Sequence, residues 1–237
     1  MPVHHLPSDG VSRRGFLLGV AGVVGSAVAL GSSASVLAAE DNQGHRVTPR
    51  QSLRWLKRGN ARWVRRDIQR VDHTPPYSDI RKGQWPIAAI VSCADSRVNP
   101  ENVFDLAQGN LFNVRNAGNV ADPISIGSIE YAVAVLKAPL LVVLAHSSCG
   151  AVSAAQKYVD TGALPGGDID AIVETIAPVI ESLPPRHTLG EAIKANSRHT
   201  ARVLRRQSDI IDHAVGRGRL RVVSAVYDIR SRRVRWL

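Results

Sequence analysis

The sequence IAAIVSCADSR, residues 87–97, consists of five apolar residues followed by a polar segment that contains a cysteine. The sequence LLVVLAHSSC, residues 140–149, has the same design and ends on the only other cysteine of the chain. A short continuous apolar run is typical of a strand that is buried on both faces of a parallel sheet. The two segments therefore predict two parallel strands, each followed directly by chemically versatile side chains.

The rest of the chain alternates between helical and strand patterns. Apolar residues recur with a helical period at residues 49–67, 126–136, 150–158, 168–183 and 189–215, and further strands fit residues 111–114 and 220–227. Strands that alternate with helices predict an α/β fold with a mostly parallel central β-sheet flanked by helices. We expect this fold to form a single domain over residues 40–237.

The first 39 residues have the pattern of an export signal. A twin arginine at Arg13 and Arg14 precedes an apolar run at residues 17–30, and small residues follow at 36–39. The apolar run has about fourteen residues, which is shorter than the roughly 20 that span a bilayer. We therefore predict a twin-arginine-type signal at residues 1–39, a periplasmic or secreted protein, and no stable membrane span after signal removal. An uncleaved membrane anchor is the alternative.

Composition and charge limit the class of protein. The 237 residues are 44% hydrophobic and 21% charged, so neither a disordered nor a collagen-like chain fits. The net charge is +10, and since residues 1–39 contain Arg13, Arg14 and Asp9, the remaining chain keeps +9. Most cations lie in residues 46–70 and 198–235, between apolar helix positions and without a nucleic-acid motif. We predict no nucleic-acid partner, with adhesion to anionic polymers as an open alternative.

The two strand ends contain the donors of a metal site. Carboxyl ends of neighbouring parallel strands share one sheet edge, so Cys93, His146 and Cys149 are expected to converge there. Two thiolates and an imidazole suit a tetrahedral Zn²⁺ and leave its fourth position open, which is the catalytic arrangement. Because Cys149 opens a helix, we expect the helix dipole to lower its thiol pKa. A Cys93–Cys149 disulfide is the chemical alternative, in which case the chain would be a basic exported binding protein.

Asp95 and Arg97 follow Cys93 at a spacing of two residues. We expect a bidentate ion pair that holds the Asp95 carboxylate beside the metal site. If Arg97 released it, Asp95 could become the fourth metal ligand.

These motifs resemble those of the β-class carbonic anhydrases. The resemblance rests on CADSRV at residues 93–98 and HSSCG at 146–150, and continues through GNLFNVRNAGN at 109–119 and IEYAV at 129–133. It covers nearly all of the chain after the signal, so residues 40–237 are identified as a β-carbonic anhydrase-like catalytic domain.

The resemblance implies a reaction, a cofactor and partners. The reaction is the reversible hydration of CO₂ to bicarbonate and a proton by attack of zinc-bound hydroxide, with one Zn²⁺ per subunit held by Cys93, His146 and Cys149. Asp95 either pairs with Arg97 or ligates the zinc. Family members usually form homodimers or higher homo-oligomers. A hydrolase of a CO₂ analogue, carbonyl sulfide or carbon disulfide, on the same fold is the alternative activity.

The resemblance also implies a substrate pocket. Gln84, Phe112 and Tyr131 stand at the positions that line it in the plant-like branch of the family. Ile90 stands where another branch, inhibited by bicarbonate, has a tryptophan, so this regulation is not expected.

Overall fold

The chain from residue 47 onward folds around a five-stranded sheet. The computed structural model describes residues 47–75 and 82–237, so the signal predicted at residues 1–39 lies outside the described residues. The helices are α1 Pro49–Arg65, α2 Pro100–Val103, α3 Pro123–Ala134, α4 Gly150–Thr161, α5 Ile169–Glu181, α6 Leu189–Arg206 and α7 Asp209–Gly216. The strands are β1 Ala88–Cys93, β2 Leu111–Asn116, β3 Leu140–His146, β4 Arg221–Tyr227 and β5 Val234–Trp236.

The sheet is mostly parallel, as the sequence predicts. Its strand order is β2-β1-β3-β4-β5, and only β5 runs antiparallel to its neighbour. Every residue of β1 and of β3 is buried, which explains why both strands are continuous apolar runs. The two strands pair in the register Ser92 with Leu144, so their carboxyl ends lie side by side.

Helices cover both faces of the sheet. On one face, α1 contributes Leu53 and Leu56 to a core that also contains Ile90, Val142 and Phe104. On the other face, residues of α3, α6 and α7 pack against the alternate positions of β1 and β3. Beyond the carboxyl ends of those strands, α4, α5 and α6 form a third apolar cluster that includes both cysteines. The reactive strand ends are therefore enclosed by helices.

The structure corrects several element boundaries. The single helix expected over residues 189–215 is two helices, because Ser208 leaves the helical conformation and its hydroxyl caps α7 by accepting a hydrogen bond from the Ile211 amide. β1 ends at Cys93 and β3 ends at His146, whereas both residues were expected just after their strands. The short elements α2 and β5 were not predicted. None of the helices in residues 47–75 and 82–237 combines the length and the hydropathy of a membrane-spanning helix.

A buried carboxylate joins α1 to the segment that follows α2. The Asp105 side chain is fully buried, and it accepts a hydrogen bond of 2.5 Å from Arg62 Nε on α1. Its oxygens also accept hydrogen bonds from the Gln69 and Arg70 amides at 3.0 and 2.9 Å. Burial alone would raise the pKa of Asp105, but the hydrogen bonds from Arg62 and the two amides outweigh it and hold that pKa below its usual value.

Replacing Asp105 with asparagine is expected to lower the free energy of unfolding by about 3 kcal/mol at pH 7, because it leaves the Arg62 charge without its buried partner. A carboxyl whose pKa is depressed in the folded state stabilises the fold above its unfolded pKa of about 3.9, and this contribution is lost as the pH falls through the folded-state value. Urea unfolding at several pH values should thus show the difference between wild type and variant shrinking below about pH 4.

The matched control is Asp212→Asn, which removes the ion pair between Arg205 and Asp212. Both of those side chains are about half exposed, at 47% and 55%, so their pair should contribute less than about 1 kcal/mol. Equal losses of stability in the two variants would contradict the role assigned to Asp105.

Candidate metal centre

Three residues, each at the end of a strand or the start of a helix, meet at the carboxyl edge of the sheet. Cys93 is the last residue of β1, His146 is the last residue of β3, and Cys149 is the N-cap of α4. The turn between the latter two contains Ser148 in the left-handed conformation, with φ of 57°. This sharp reversal brings Cys149 back toward the strand end from which the chain has just departed.

The potential ligand atoms of these three residues converge. The two cysteine Sγ atoms and one ring nitrogen of His146 all lie within 4.8 Å of one another. All three residues are buried, with exposed fractions of 6% for Cys93, 0% for His146 and 1% for Cys149. Both cysteines are free, so the structure does not contain the disulfide that was the chemical alternative. The convergence expected from the strand ends is therefore present.

The imidazole is oriented as a metal ligand requires. His146 Nδ1 lies 2.9 Å from the carbonyl oxygen of Ser147, to which a protonated Nδ1 donates. This leaves a lone pair on Nε2, and that buried atom has no hydrogen-bond partner among the described residues. A histidine that donates one ring N–H to a carbonyl and directs its other nitrogen at the ion is the usual arrangement in metal sites. Two sulfurs and this nitrogen fit Zn²⁺.

The two thiols interact strongly with each other. The hydrogen bond that Cys93 accepts from Cys149 lowers the pKa of the Cys93 thiol to about 4. The same hydrogen bond raises the pKa of Cys149 above its usual range. Burial acts to lower the pKa of His146, but the neighbouring Cys93 thiolate and the Ser147 carbonyl raise it above its ordinary value.

The prediction that α4 would lower the pKa of Cys149 is therefore wrong. The amides of Ala151 and Val152 in the first turn of α4 do act in that direction, but the hydrogen bond to Cys93 and burial outweigh them. Cys93 and Cys149 thus share one proton between their sulfur atoms.

The ion pair expected beside the cluster is present. Arg97 Nε and Nη2 donate to the two Asp95 carboxylate oxygens at 2.9 and 2.7 Å, and the Arg97 amide donates to Oδ1 at 2.9 Å. These hydrogen bonds hold the pKa of Asp95 well below its usual range, despite some burial. Asp95 Oδ2 lies 3.7 Å from His146 Nε2, which places an ionised carboxylate next to the cluster.

Neighbouring segments fix the end of β1 where the cluster forms. Arg115, on β2, donates from Nη2 to the Cys93 and Asp95 carbonyl oxygens at 3.1 and 2.8 Å. The Gly118 amide lies 3.4 Å from Cys93 Sγ and donates to it, while the Gly118 carbonyl accepts from Asn196 Nδ2 at 2.8 Å. Asn196 is buried on α6, so this helix positions the loop that contacts the sulfur.

Sequence reasoning assigned no role to these three residues. Arg115 and Gly118 lie in the quoted stretch at residues 109–119, which marked their segment but not their contacts. A polar residue on the buried face of α6 was the only signal for Asn196, and such a signal does not name the partner.

Within one chain, the structure does not bring the predicted pocket residues to the cluster. Gln84 precedes β1 and is exposed, whereas Cys93 ends that strand, so the two are separated by the length of β1, roughly 17 Å. Phe112 pairs with Ala89, four residues or roughly 13 Å along the sheet from Cys93. Tyr131 is 43% exposed, and its ring centroid lies 6.2 Å from that of Phe112. The half-buried Phe112 ring and the exposed Tyr131 ring form a pair that is separate from the cluster.

Comparison with known proteins identifies relatives of this chain. A family model described as carbonic anhydrase matches residues 88–234. The protein named carbonic anhydrase 2 of Mycobacterium tuberculosis is 41% identical over 190 residues, which cover 77% of this chain and 90% of that protein. A carbonic anhydrase of Mycolicibacterium smegmatis is 38% identical over 183 residues, which cover 76% and 88% of the two chains.

Solved structures have a similar fold. A Coccomyxa β-carbonic anhydrase, solved in complex with acetazolamide, superposes with a TM-score of 0.61 at 26% identity, covering 68% of this chain and 76% of its own. One of two β-carbonic anhydrases of Sordaria macrospora, described as tetrameric, gives a TM-score of 0.59 at 25% identity, covering 67% and 83%. Both matches agree with the α/β architecture described above.

Proposed function

Because this chain belongs to the β-class carbonic anhydrases, we propose that it catalyses the reversible hydration of CO₂ to bicarbonate and a proton at one zinc ion per chain. The observation that carries the proposal is the buried cluster of Cys93, His146 and Cys149, whose ligand atoms lie within 4.8 Å of one another. These three residues would hold the ion. When bound with an open fourth position, zinc lowers the pKa of water toward neutrality and so supplies a nucleophile at neutral pH.

Asp95 and Arg97 control the space beside the ion. The low pKa of Asp95 keeps its carboxylate ionised at neutral pH, so Oδ2 can only accept a hydrogen bond there and cannot store a proton. The two hydrogen bonds from Arg97 hold both carboxylate oxygens and so keep Asp95 from taking the fourth ligand position. We propose that this pair orients the attacking water by accepting one of its protons in a hydrogen bond.

The substrate pocket is proposed to be completed by a second copy of the chain. Gln84 would donate a hydrogen bond from its amide to a substrate oxygen, but within one chain it lies at the wrong end of β1. Phe112 lies on β2, which is an edge strand of the sheet. Among the described residues, no strand pairs with the outer side of β2, so that side is available to a partner chain. A related protein is described as tetrameric, which supports a homodimer or higher homo-oligomer here.

Mixing two inactive variants tests this arrangement. Gln84→Ala keeps the metal cluster but is expected to lose about a hundredfold in hydration rate, and His146→Ala keeps Gln84 but loses the cluster. After subunit exchange, half of the dimers contain both variants, and each of these has one complete site. About a quarter of the wild-type activity should therefore return.

The matched control mixes Cys93→Ser with His146→Ala. Both substitutions damage the same cluster, which one chain supplies, so no exchange can restore it and no activity should return. Recovery in this control, or no recovery with Gln84→Ala, would rule out a site shared between two chains.

The proposed reaction is tested by stopped-flow assays of the zinc-loaded protein. We expect CO₂ hydration well above the uncatalysed rate and little hydrolysis of carbonyl sulfide or carbon disulfide at equal concentration. Faster turnover of either sulfur analogue would replace the proposed activity with that of a CO₂-analogue hydrolase. No turnover of any of them by protein with one zinc per chain would reject both.

Export of the enzyme is also a proposal. Its support is the twin-arginine pattern before the apolar run at residues 17–30, and the proposed domain is residues 40–237. A twin-arginine route carries folded cargo, so the cysteines could already be bound to zinc on reaching an oxidising compartment. Fractionation of cells that express the chain, with and without Arg13→Lys and Arg14→Lys, checks the compartment.

A further inference from the structure

Helix α1 has an unusual charge. Residues 49–66 contain seven arginines and lysines and no aspartate or glutamate. Because successive residues of a helix are turned by about 100°, five of these cations fall within a single arc of about 100° that faces away from the buried side. All five side chains are exposed: Arg50, Arg54, Lys57, Arg58 and Arg65. They extend over about 22 Å of helix length.

Nearby acids do not neutralise this row of cations. Within the described part of the chain, four of the five cations have no carboxylate partner, and Arg65 has only an exposed contact of 3.8 Å with Asp67. The one strong ion pair of the helix uses Arg62, which lies outside the arc. Like charges at a spacing of four residues repel each other and weaken a helix. The fold therefore maintains a charge pattern that costs stability and that its own packing does not require.

The C-terminal segment adds a cation and fixes the position of another. Arg232 lies over the ring of Trp63, with Cζ 5.0 Å from the ring centroid, and Lys57 Nζ lies 5.7 Å from the centroid of Trp236. Asn60 joins the two segments by hydrogen bonds to the Arg232 carbonyl and the Val234 amide, both at 2.9 Å. We call Arg232 and the five exposed α1 cations the cationic ridge.

One group of acidic residues lies beyond the opposite face of the sheet from α1. Helices α4 and α5, with the loop between them, contain Asp160, Asp168, Asp170, Glu174 and Glu181, and these helices pack beyond the opposite face of the sheet from α1. The outer face of α1 is therefore one surface of concentrated positive charge, and α6, with Arg198, Arg202, Arg205 and Arg206, is a second. Such a surface attracts polyanions and orients the protein on them.

The composition of the ridge favours phosphate polymers over a membrane. The apolar face of α1 is already buried against the sheet, and the one apolar residue in the exposed arc of the helix is Ala61, whose methyl group is too small to anchor the helix between lipids. Five of the six cations are arginines, whose planar guanidinium groups bind phosphate oxygens in pairs. The tryptophan rings are half-buried beneath their cations, so they do not form a stacking platform for nucleic-acid bases.

We propose that the cationic ridge is a docking surface for a flexible linear phosphate polymer of the polyphosphate type. The ridge lies on α1 and the C-terminal segment, so the polymer contacts the outer face of the helix. Binding there leaves the metal-centre residues in place and ties the enzyme to an anionic matrix.

Titration of the zinc-loaded chain with linear inorganic polyphosphate, followed by fluorescence anisotropy of an end-labelled polymer, tests the proposal. Five or six phosphate contacts predict that the logarithm of the binding constant falls with the logarithm of salt with a slope of about −4. Arg54→Glu with Arg58→Glu should weaken binding about thirtyfold and reduce that slope by about 1.4. Zinc content and CO₂ hydration should be unchanged.

The matched control is Arg198→Glu with Arg202→Glu. These two arginines are exposed and four residues apart on α6, so the double variant has the same change in net charge at the same helical spacing. It should lose less than about threefold in affinity, through long-range charge alone. Equal losses in both double variants would overturn a local docking surface.

Binding of other polyanions, compared with that of polyphosphate, tests whether the cationic ridge has a different partner. Tighter binding to vesicles rich in anionic lipid than to polyphosphate at equal phosphate concentration would overturn the proposal in favour of a membrane. Tighter binding to single-stranded oligothymidylate of equal charge would overturn it in favour of nucleic acid. A rise in mass at low salt that the Arg54→Glu, Arg58→Glu variant abolishes without polymer present would assign the ridge to the acidic face of a second copy.

Discussion

Replacing His146 with alanine is expected to abolish zinc retention and to reduce CO₂ hydration at least about a thousandfold. The substitution removes the only nitrogen ligand of the cluster and leaves two sulfurs, which do not hold an ion with the tetrahedral geometry that zinc requires. Without the ion, the site has no other group that acidifies water. Zinc per chain by atomic absorption and initial rates by stopped-flow should therefore fall together. Cys93→Ser should behave in the same way.

The control is His213→Ala, which removes an exposed imidazole on α7. His213 is far in sequence from all three residues of the cluster. It should keep one zinc per chain and the wild-type rate. Wild-type hydration by a zinc-free His146→Ala protein would refute the assignment of this residue as a ligand. Circular dichroism of both variants separates metal loss from unfolding.

Replacing Gly59 with alanine is expected to lower the free energy of unfolding by more than about 3 kcal/mol, through overpacking. Gly59 is buried where α1 crosses the segment after α2, and an added Cβ would lie 1.7 Å from the carbonyl oxygen of Phe104. The obstructing atom belongs to the backbone, so it cannot turn aside as a flexible side chain would. Thermal unfolding followed by circular dichroism measures the loss, and valine at this position should prevent folding altogether.

Gly127→Ala provides the matched control for helix propensity. Gly127 lies within α3, and its added Cβ would meet nothing within 4 Å. Alanine there should raise stability by about 0.5–1 kcal/mol, because it restricts the unfolded chain and favours the helix. A Gly59→Ala variant as stable as the wild type would show that α1 does not approach Phe104 so closely.

The sequence was sufficient to predict the sheet and the metal cluster because both depend on short-range patterns. β1 and β3 are buried on both faces, so their apolar runs are uninterrupted and end where the reactive residues begin. Since the carboxyl ends of parallel neighbours share one edge, the convergence of Cys93, His146 and Cys149 follows from those two runs. The pairing of Asp95 with Arg97 followed from their spacing alone.

Long-range contacts were not accessible in the same way. The break between α6 and α7 depends on one capping hydroxyl, Ser208, within an otherwise helical apolar pattern. The contact of Asn196 with the Gly118 carbonyl joins residues 78 positions apart, and no local pattern encodes that distance. The elevated pKa of Cys149 depends on its thiol neighbour Cys93, which the helix-dipole argument did not include.

The distance of Gln84 from the cluster shows a different limit. A resemblance transfers a role to a position in the sequence but does not say which copy of the chain performs it. Strand β1 separates Gln84 from Cys93 within one chain, so the role proposed for Gln84 requires the proposed assembly, which the sequence does not describe.

Metal content and free thiols, measured on the same sample of purified wild-type protein, test the central claim most directly. If Cys93, His146 and Cys149 hold a catalytic ion, the sample contains one zinc per chain, and both thiols react with a thiol reagent only after a chelator removes the metal. A sample without zinc in which neither cysteine reacts until a disulfide reductant is added would contradict the account.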